Sequence, residues 1–363
     1  MTSCWVPGAE DSPYNIHNLP FGVFSTAAEP LPRIGVRIGD QILDLHKAVL
    51  AGDCQTCASC TALREPALNR LIGLGREVWR QVRTQVVQAL TEPDLEGPAR
   101  NWLTPLSEAR MHAPLLVIDY VDFTEQAADS RRWQPMASNG RASTVMPSGM
   151  SLVRPAGHRR EPGGEVVFGP TGALDIEAEV GFIVGAESEL GRPVGPDSFE
   201  EYVFGAVLLN DWTARDFASF DGGLGPFSSK SFATSMSAWV TPLDALGAAR
   251  TAAPEQGFET PAYLKESDRY GFDLNLSIEV NGVAVAGARF GEQYWTPAQQ
   301  LAQITAGGAV LRPGLLFGSG ECVGGQWELA DGDVVRISAT APGPRGTTIA
   351  LGEVETRVAP AVG

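Results

Sequence analysis

The stretch Leu174–Gly185 (LDIEAEVGFIVG) governs how the rest of the chain is read. Its second half, Val180–Val184, is apolar and partly β-branched, the pattern of a buried strand. Just upstream stand Glu177 and Glu179, two positions apart. Residues i and i+2 of a strand share a face, so the two carboxylates would aim at one point. Like charges buried side by side are costly unless a cation neutralises them, and a divalent ion with oxygen ligands does this well. The bland alternative is a pair of solvated acids at a strand end.

Two other acids complete the pattern. Asp122 follows an apolar run in Leu115–Phe123 (LLVIDYVDF), and Asp211 ends another in Phe204–Trp212 (FGAVLLNDW). Four carboxylates suit Mg²⁺, Ca²⁺ or Mn²⁺, whereas zinc prefers Cys and His.

Composition narrows the class. The 363 residues are 44% hydrophobic and 19% charged, enough to bury a core in one large domain or two. The 41 Gly and 26 Pro favour a turn-rich β fold over a helical bundle. A net charge of −16 repels phosphate backbones and anionic lipid, which argues against nucleic acid or a membrane surface as partner. No run approaches a membrane span and the N-terminal residues lack a basic-then-apolar signal, so the expectation is a soluble, cytoplasmic protein. Five Cys argue against a disulfide framework. Cys54, Cys57 and Cys60 are regularly spaced, with His46 as the one nearby candidate for a fourth metal ligand; a reduced-thiol loop is the simpler reading.

Along the chain, residues 1–115 read as a smaller domain and 116–363 as a larger one. Ile34–Leu45 reads as a hairpin turning at Gly39-Asp40. Pro66–Leu90 carries helical spacing, and Thr91–Pro114, with four prolines, reads as a linker. Val203–Leu209, Phe272–Val280, Gly314–Phe317 and Val334–Ile337 are strand candidates, and Tyr294–Thr305 is a helix candidate with Pro297 in its first turn. The glycine-rich 222–226 segment lacks the context of a phosphate loop and reads as a turn.

Several ordered blocks resemble the fumarylacetoacetase family: Ala9–Gln41, Gly140–Ser143 (GRAS), Leu174–Gly185, Phe204–Asp216, Leu224–Phe232, Arg312–Gly320 and the DGD at 331–333. The resemblance implies a β-rich α+β protein: a small N-terminal SH3-like domain, a C-terminal mixed β-roll domain, and a homodimer. It also implies an enzyme that uses Mg²⁺ or Ca²⁺ to split a carbon–carbon bond in a small β-dicarbonyl substrate, a 1,3-diketo acid. By the same likeness Asp122, Glu177, Glu179 and Asp211 are metal ligands with Thr234 beside them. Arg215 matches a substrate-binding Arg, Lys230 a Lys that neutralises the developing enolate, and Glu328 a Glu that orients the catalytic His.

That His is where the chain departs. The family's base follows the Asp of the DYxDF block, but here Asp122 leads into Phe-Thr-Glu-Gln-Ala-Ala-Asp, and the segment up to Gly140 is shortened. Only His17, His46, His112 and His158 exist, and none matches. Asp129 or Glu125 could stand in as a carboxylate base, provided burial raises its pKa. Hydrolysis of a carbon–carbon bond through a metal-stabilised enolate is the first reading. Decarboxylation, isomerisation, cyclisation or condensation through the same enolate, in a specialised pathway, is the second. A non-catalytic dimer binding metal and ligand is the third.

Overall fold

The computed structural model describes residues 3–52, 56–124, 133–222, 225–323 and 325–362. Asp129 and Glu125, two of the candidate bases, and Cys54 lie outside them.

The expected hairpin forms. Arg33–Ile38 and Gln41–Asp44 pair antiparallel across a tight turn at Gly39, whose φ of +55° suits a residue without a Cβ. Phe21–Thr26 adds to Arg33–Ile38 on one side and to Trp239–Pro242 on the other. That second pairing merges the N-terminal strands with the C-terminal ones in a 13-stranded sheet among the described residues.

Two sequence expectations need correction. Thr91–Pro114 is no linker: Pro93–Arg100 is a helix, Leu103–Pro105 pairs with Gln41–Asp44, and Ala109–Met111 pairs with Phe21–Thr26. Pro93 sits at the start of its helix, where a missing N–H costs nothing, so a proline count misleads here. Pro66–Leu90 is two helices, Asn69–Ile72 and Arg76–Thr91, separated at Gly75 with φ +83°. The Tyr294–Thr305 expectation holds as Pro297–Thr305, closed by a capping box between Thr296 and Gln299.

The middle of the large sheet positions the site. Ala178–Val184 pairs antiparallel with Val203–Asp211 on one side and Leu315–Gly318 on the other. Leu315–Gly318 then pairs parallel with Asp119–Thr124. These inner strands are covered on both faces, which explains why Val203–Asp211 is buried along its whole length. One face, with Ala178, Val180, Phe182, Ala206, Leu208 and Phe317, packs on a second sheet built around Asn275–Val280 and Val334–Pro342. Phe182 stacks on Phe317 there, with ring centroids 5.3 Å apart. The other face, with Ile183, Val207, Leu209, Leu316 and Tyr120, packs toward the N-terminal strands and helices. Among the described residues no helix is long and apolar enough to cross a membrane.

Candidate metal centre and active site

Period two along three strands of one sheet assembles the site: Ala178–Val184 adjoins Val203–Asp211, and Leu315–Gly318 lies between it and Asp119–Thr124. Glu179 shares the face of Ile183, Asp211 that of Leu209, and Asp122 that of Tyr120. The ladder puts Glu179 opposite Leu209 and Asp122 opposite Gly318. Carboxylate oxygens of Asp122, Glu179 and Asp211 therefore lie within 4.8 Å of one another, all three residues buried. Gly318 makes this possible: a Cβ there would stand 2.2 Å from Glu179 Oε2.

Among the described residues, Asp122 Oδ1 and both Glu179 oxygens are buried without a hydrogen-bond partner. Such atoms are rare in folded proteins because each costs about 1–3 kcal/mol, more when charged. Three oxygen donors from carboxylates, converging and unsatisfied, match the chemistry of a hard divalent cation.

Lys230 forms one wall. Its Nζ lies 2.6 Å from Glu177 Oε2, 2.7 Å from Asp211 Oδ2 and 3.2 Å from Asp122 Oδ2. Burial alone would lower the ammonium pKa, but Asp211, Asp122 and Glu177 override it and hold the group well above its ordinary range. Burial pushes the Asp122 carboxyl up to about 7, with Lys230 pulling against it and Asp211 adding to it. Burial, then Asp122 and Asp211, pushes Glu179 well above the usual carboxylate range. Burial also raises Asp211, opposed by Lys230 and by the Thr234 hydroxyl, which donates to Asp211 Oδ1 at 2.5 Å. Tyr120, fully buried with its hydroxyl unpaired among the described residues, is raised by burial and by the three acids.

Glu177 is not one of the converging three. The strand begins at Ala178, one residue later, and Glu177 O instead accepts from Asp211 N. Its side chain is tied to Lys230 and accepts from Thr213 Oγ1 at 2.7 Å. Thr234 stands beside the triad and supports Asp211.

The remaining candidates separate. Arg215 pairs with Asp175 and reaches to 3.9 Å from Glu321. Glu328 is exposed and makes no hydrogen bond or ion pair among the described residues, so the structure does not bring it to the cluster. None of the four histidines contacts the carboxylates: His112 bonds to Ser25, and exposed His158 sits between Phe168 and Phe220. Sequence reasoning missed Tyr120, Gly318 and Glu321 as parts of this region. A cleft of about 610 Å³ lies beside it, lined by Val121, Ser138, Asn139, Phe220, Phe227 and Ser228 among others.

Residues 112–359 match the family model "Fumarylacetoacetate (FAA) hydrolase C-terminal", and residues 17–114 match "Fumarylacetoacetase N-terminal". The chain is 36% identical to the fumarylacetoacetase of Homo sapiens, over 97% of this chain and 90% of that protein. It is 38% identical to that of Bos taurus, over 88% and 84%. A fumarylacetoacetate hydrolase from psychrophilic Exiguobacterium antarcticum shares the fold with a TM-score of 0.62 at 18% identity, covering 94% of this chain and 99% of that one. So does a maleylpyruvate hydrolase from Sphingobium sp. SYK-6, solved with manganese(II) and pyruvate, with a TM-score of 0.59 at 19% identity, covering 95% and 100%.

Proposed function

The chain belongs to the fumarylacetoacetase family of enzymes, and on that premise we propose that it hydrolyses a carbon–carbon bond in a small 1,3-diketo acid. The observation that carries this reading is the buried triad Asp122, Glu179 and Asp211, in which oxygens of Asp122 and Glu179 lack partners among the described residues, edged by the ammonium of Lys230. These three residues would hold a divalent ion, Mg²⁺, Ca²⁺ or Mn²⁺. Such an ion, when bound, supplies Lewis acidity to a substrate carbonyl.

The chain's own residues do the rest. Glu177 fixes Lys230 and is itself fixed by Thr213, so the ammonium is preorganised. A fixed, desolvated cation stabilises the negative charge that develops on the enolate oxygen as the bond breaks, without reorganising at that moment. Thr234 holds Asp211 in orientation. Arg215, steadied by Asp175, adds positive charge at the rim, where it would meet the substrate carboxylate. The protein would work as a homodimer, with the N-terminal region as an SH3-like module.

One observation favours a second reading. No histidine stands at the carboxylates, and enolate chemistry without water attack, such as decarboxylation or isomerisation, needs none. The test is direct. Protein with Mg²⁺ or Mn²⁺ is mixed with fumarylacetoacetate or acetylpyruvate, the diketone absorbance is followed, and products are identified. Acid plus ketone products that disappear in Asp122→Ala support hydrolysis. Loss of CO₂ or a rearranged isomer supports the second reading.

A further inference from the structure

Glu321 is a carboxylate that the mechanism above leaves unused. It stands in the turn after Leu315–Gly318, the strand whose last residue lies against Glu179. The turn is pinned to the strand that carries Glu179. Ser319 N donates to Val180 O and Cys322 N to Ala178 O, so hydrogen bonds bracket Glu321 on both sides. Gln300 clamps the Ser319 carbonyl at 2.8 Å and Gln293 clamps that of Gly320 at 3.3 Å. Gly320, at φ +86°, redirects the chain. The backbone of Glu321 is thus fixed at the rim of the ion cage.

Its side chain is 25% exposed, yet Oε1 is buried and accepts no hydrogen bond among the described residues. Arg215 Nη2, at 3.9 Å, is too far to donate. A carboxylate oxygen that is inward-facing, unsatisfied and close to solvent suits the receipt of a proton from water. Burial first, and Glu177 next, push its carboxyl up to about 7, while Arg215 and Lys230 pull it down and Asp175 adds to the rise. That is the range in which a carboxylate serves as a base at neutral pH.

We propose that Glu321 is the general base of the hydrolysis, taking the place that no histidine fills; the inference rests on the hydrolytic reading above. Glu321 takes a proton from water as the water oxygen forms a bond to the acyl carbonyl carbon. The carbon–carbon bond breaks with its electron pair passing to the α-carbon, giving an enolate whose charge faces Lys230. The protonated Glu321 returns its proton to that carbon. Diketo acid plus water becomes a carboxylic acid plus an oxo acid, with no other reactant consumed.

The experiment compares wild type, Glu321→Gln and Glu321→Ala with saturating Mn²⁺ and acetylpyruvate or fumarylacetoacetate. In the Gln variant we expect ion-induced stabilisation to stay intact, kcat to fall by about 10²–10⁴-fold and the rise of kcat/KM around pH 7 to vanish. Added formate restores rate to Glu321→Ala, as a missing carboxylate base requires. A Gln variant within about threefold of wild type, or a slow one that keeps the wild-type pH limb, overturns the inference while leaving the hydrolytic reading standing. A wild type that converts neither substrate to acid and ketone overturns both.

Discussion

Replacing Glu179 with Gln separates the needs of the fold from those of the site. The side chain is fully buried, and neither oxygen has a hydrogen-bond partner among the described residues. Burial, then Asp122 and Asp211, favours the neutral form of this carboxyl in chelated protein, so Glu179→Gln keeps its volume and adds an NH₂ facing Asp122 and Asp211. A hydrogen bond to a charged acceptor is worth about 1.5–3 kcal/mol, so the chelated variant should equal wild type or exceed it by up to that amount. A carboxyl whose folded pKa is raised gives stability that is whole below its unfolded value near 4.5 and is lost as pH climbs toward the folded value. The advantage of Gln therefore grows as pH climbs from that unfolded value through neutrality. With ion present the order reverses. An ion at a hundred times its Kd stabilises by about 2.7 kcal/mol, and a hundredfold weaker site leaves about 0.4 kcal/mol. Urea unfolding with and without Mg²⁺ or Mn²⁺, across that pH range, reads both arms. A Gln variant that is clearly less stable than wild type when chelated, yet keeps the full ion-induced gain, refutes the assignment of the cage.

Four further outcomes are expected. Lys230→Met leaves Asp122, Glu177 and Asp211 without their shared cation, so the chelated protein should lose about 3–5 kcal/mol in urea unfolding and turnover should fall by at least about 10²-fold. Gly318→Ala drives a methyl into Glu179, and calorimetric titration should show ion binding lost at a stability cost of about 1–3 kcal/mol. Glu177→Gln should lower kcat through Lys230 while weakening ion affinity less than Glu179→Gln does, since Glu177 lies outside the triad. Asp44→Ala removes the buried partner of Arg33 and the cap of the Leu45–Ala51 helix; it should cost about 3–5 kcal/mol and leave the kcat of the folded protein unchanged.

The sequence pattern succeeded wherever one short-range rule dominated. Alternation with a Gly-Asp turn marked the Arg33–Asp44 hairpin, and Pro297 marked the first turn of the helix that a Thr296–Gln299 capping box starts. It failed where punctuation was read without context. Gly75 breaks what looked like one helix, and of the prolines taken as a linker, Pro93 starts a helix, Pro98 lies within it and Pro105 sits on a short strand of the N-terminal sheet.

The site shows why spacing alone falls short. Reading Glu177 and Glu179 as partners on one face assumed that both belong to the strand, but the strand starts between them. Only Glu179 inherits the strict geometry, and Glu177 becomes free to hold Lys230. That Asp122 and Asp211 share its face depends on register between strands far apart in sequence, which no local pattern encodes. The choice between Glu321 and Glu328 is harder still, because both lie in a glycine-rich stretch without periodicity. Two backbone bonds to Val180 and Ala178, and a Gly318 small enough to pass Glu179, turn Glu321 inward, while Glu328 remains exposed. An acid becomes a candidate for chemistry here not by being acidic but by being left unsatisfied where the backbone holds it at the edge of the ion cage.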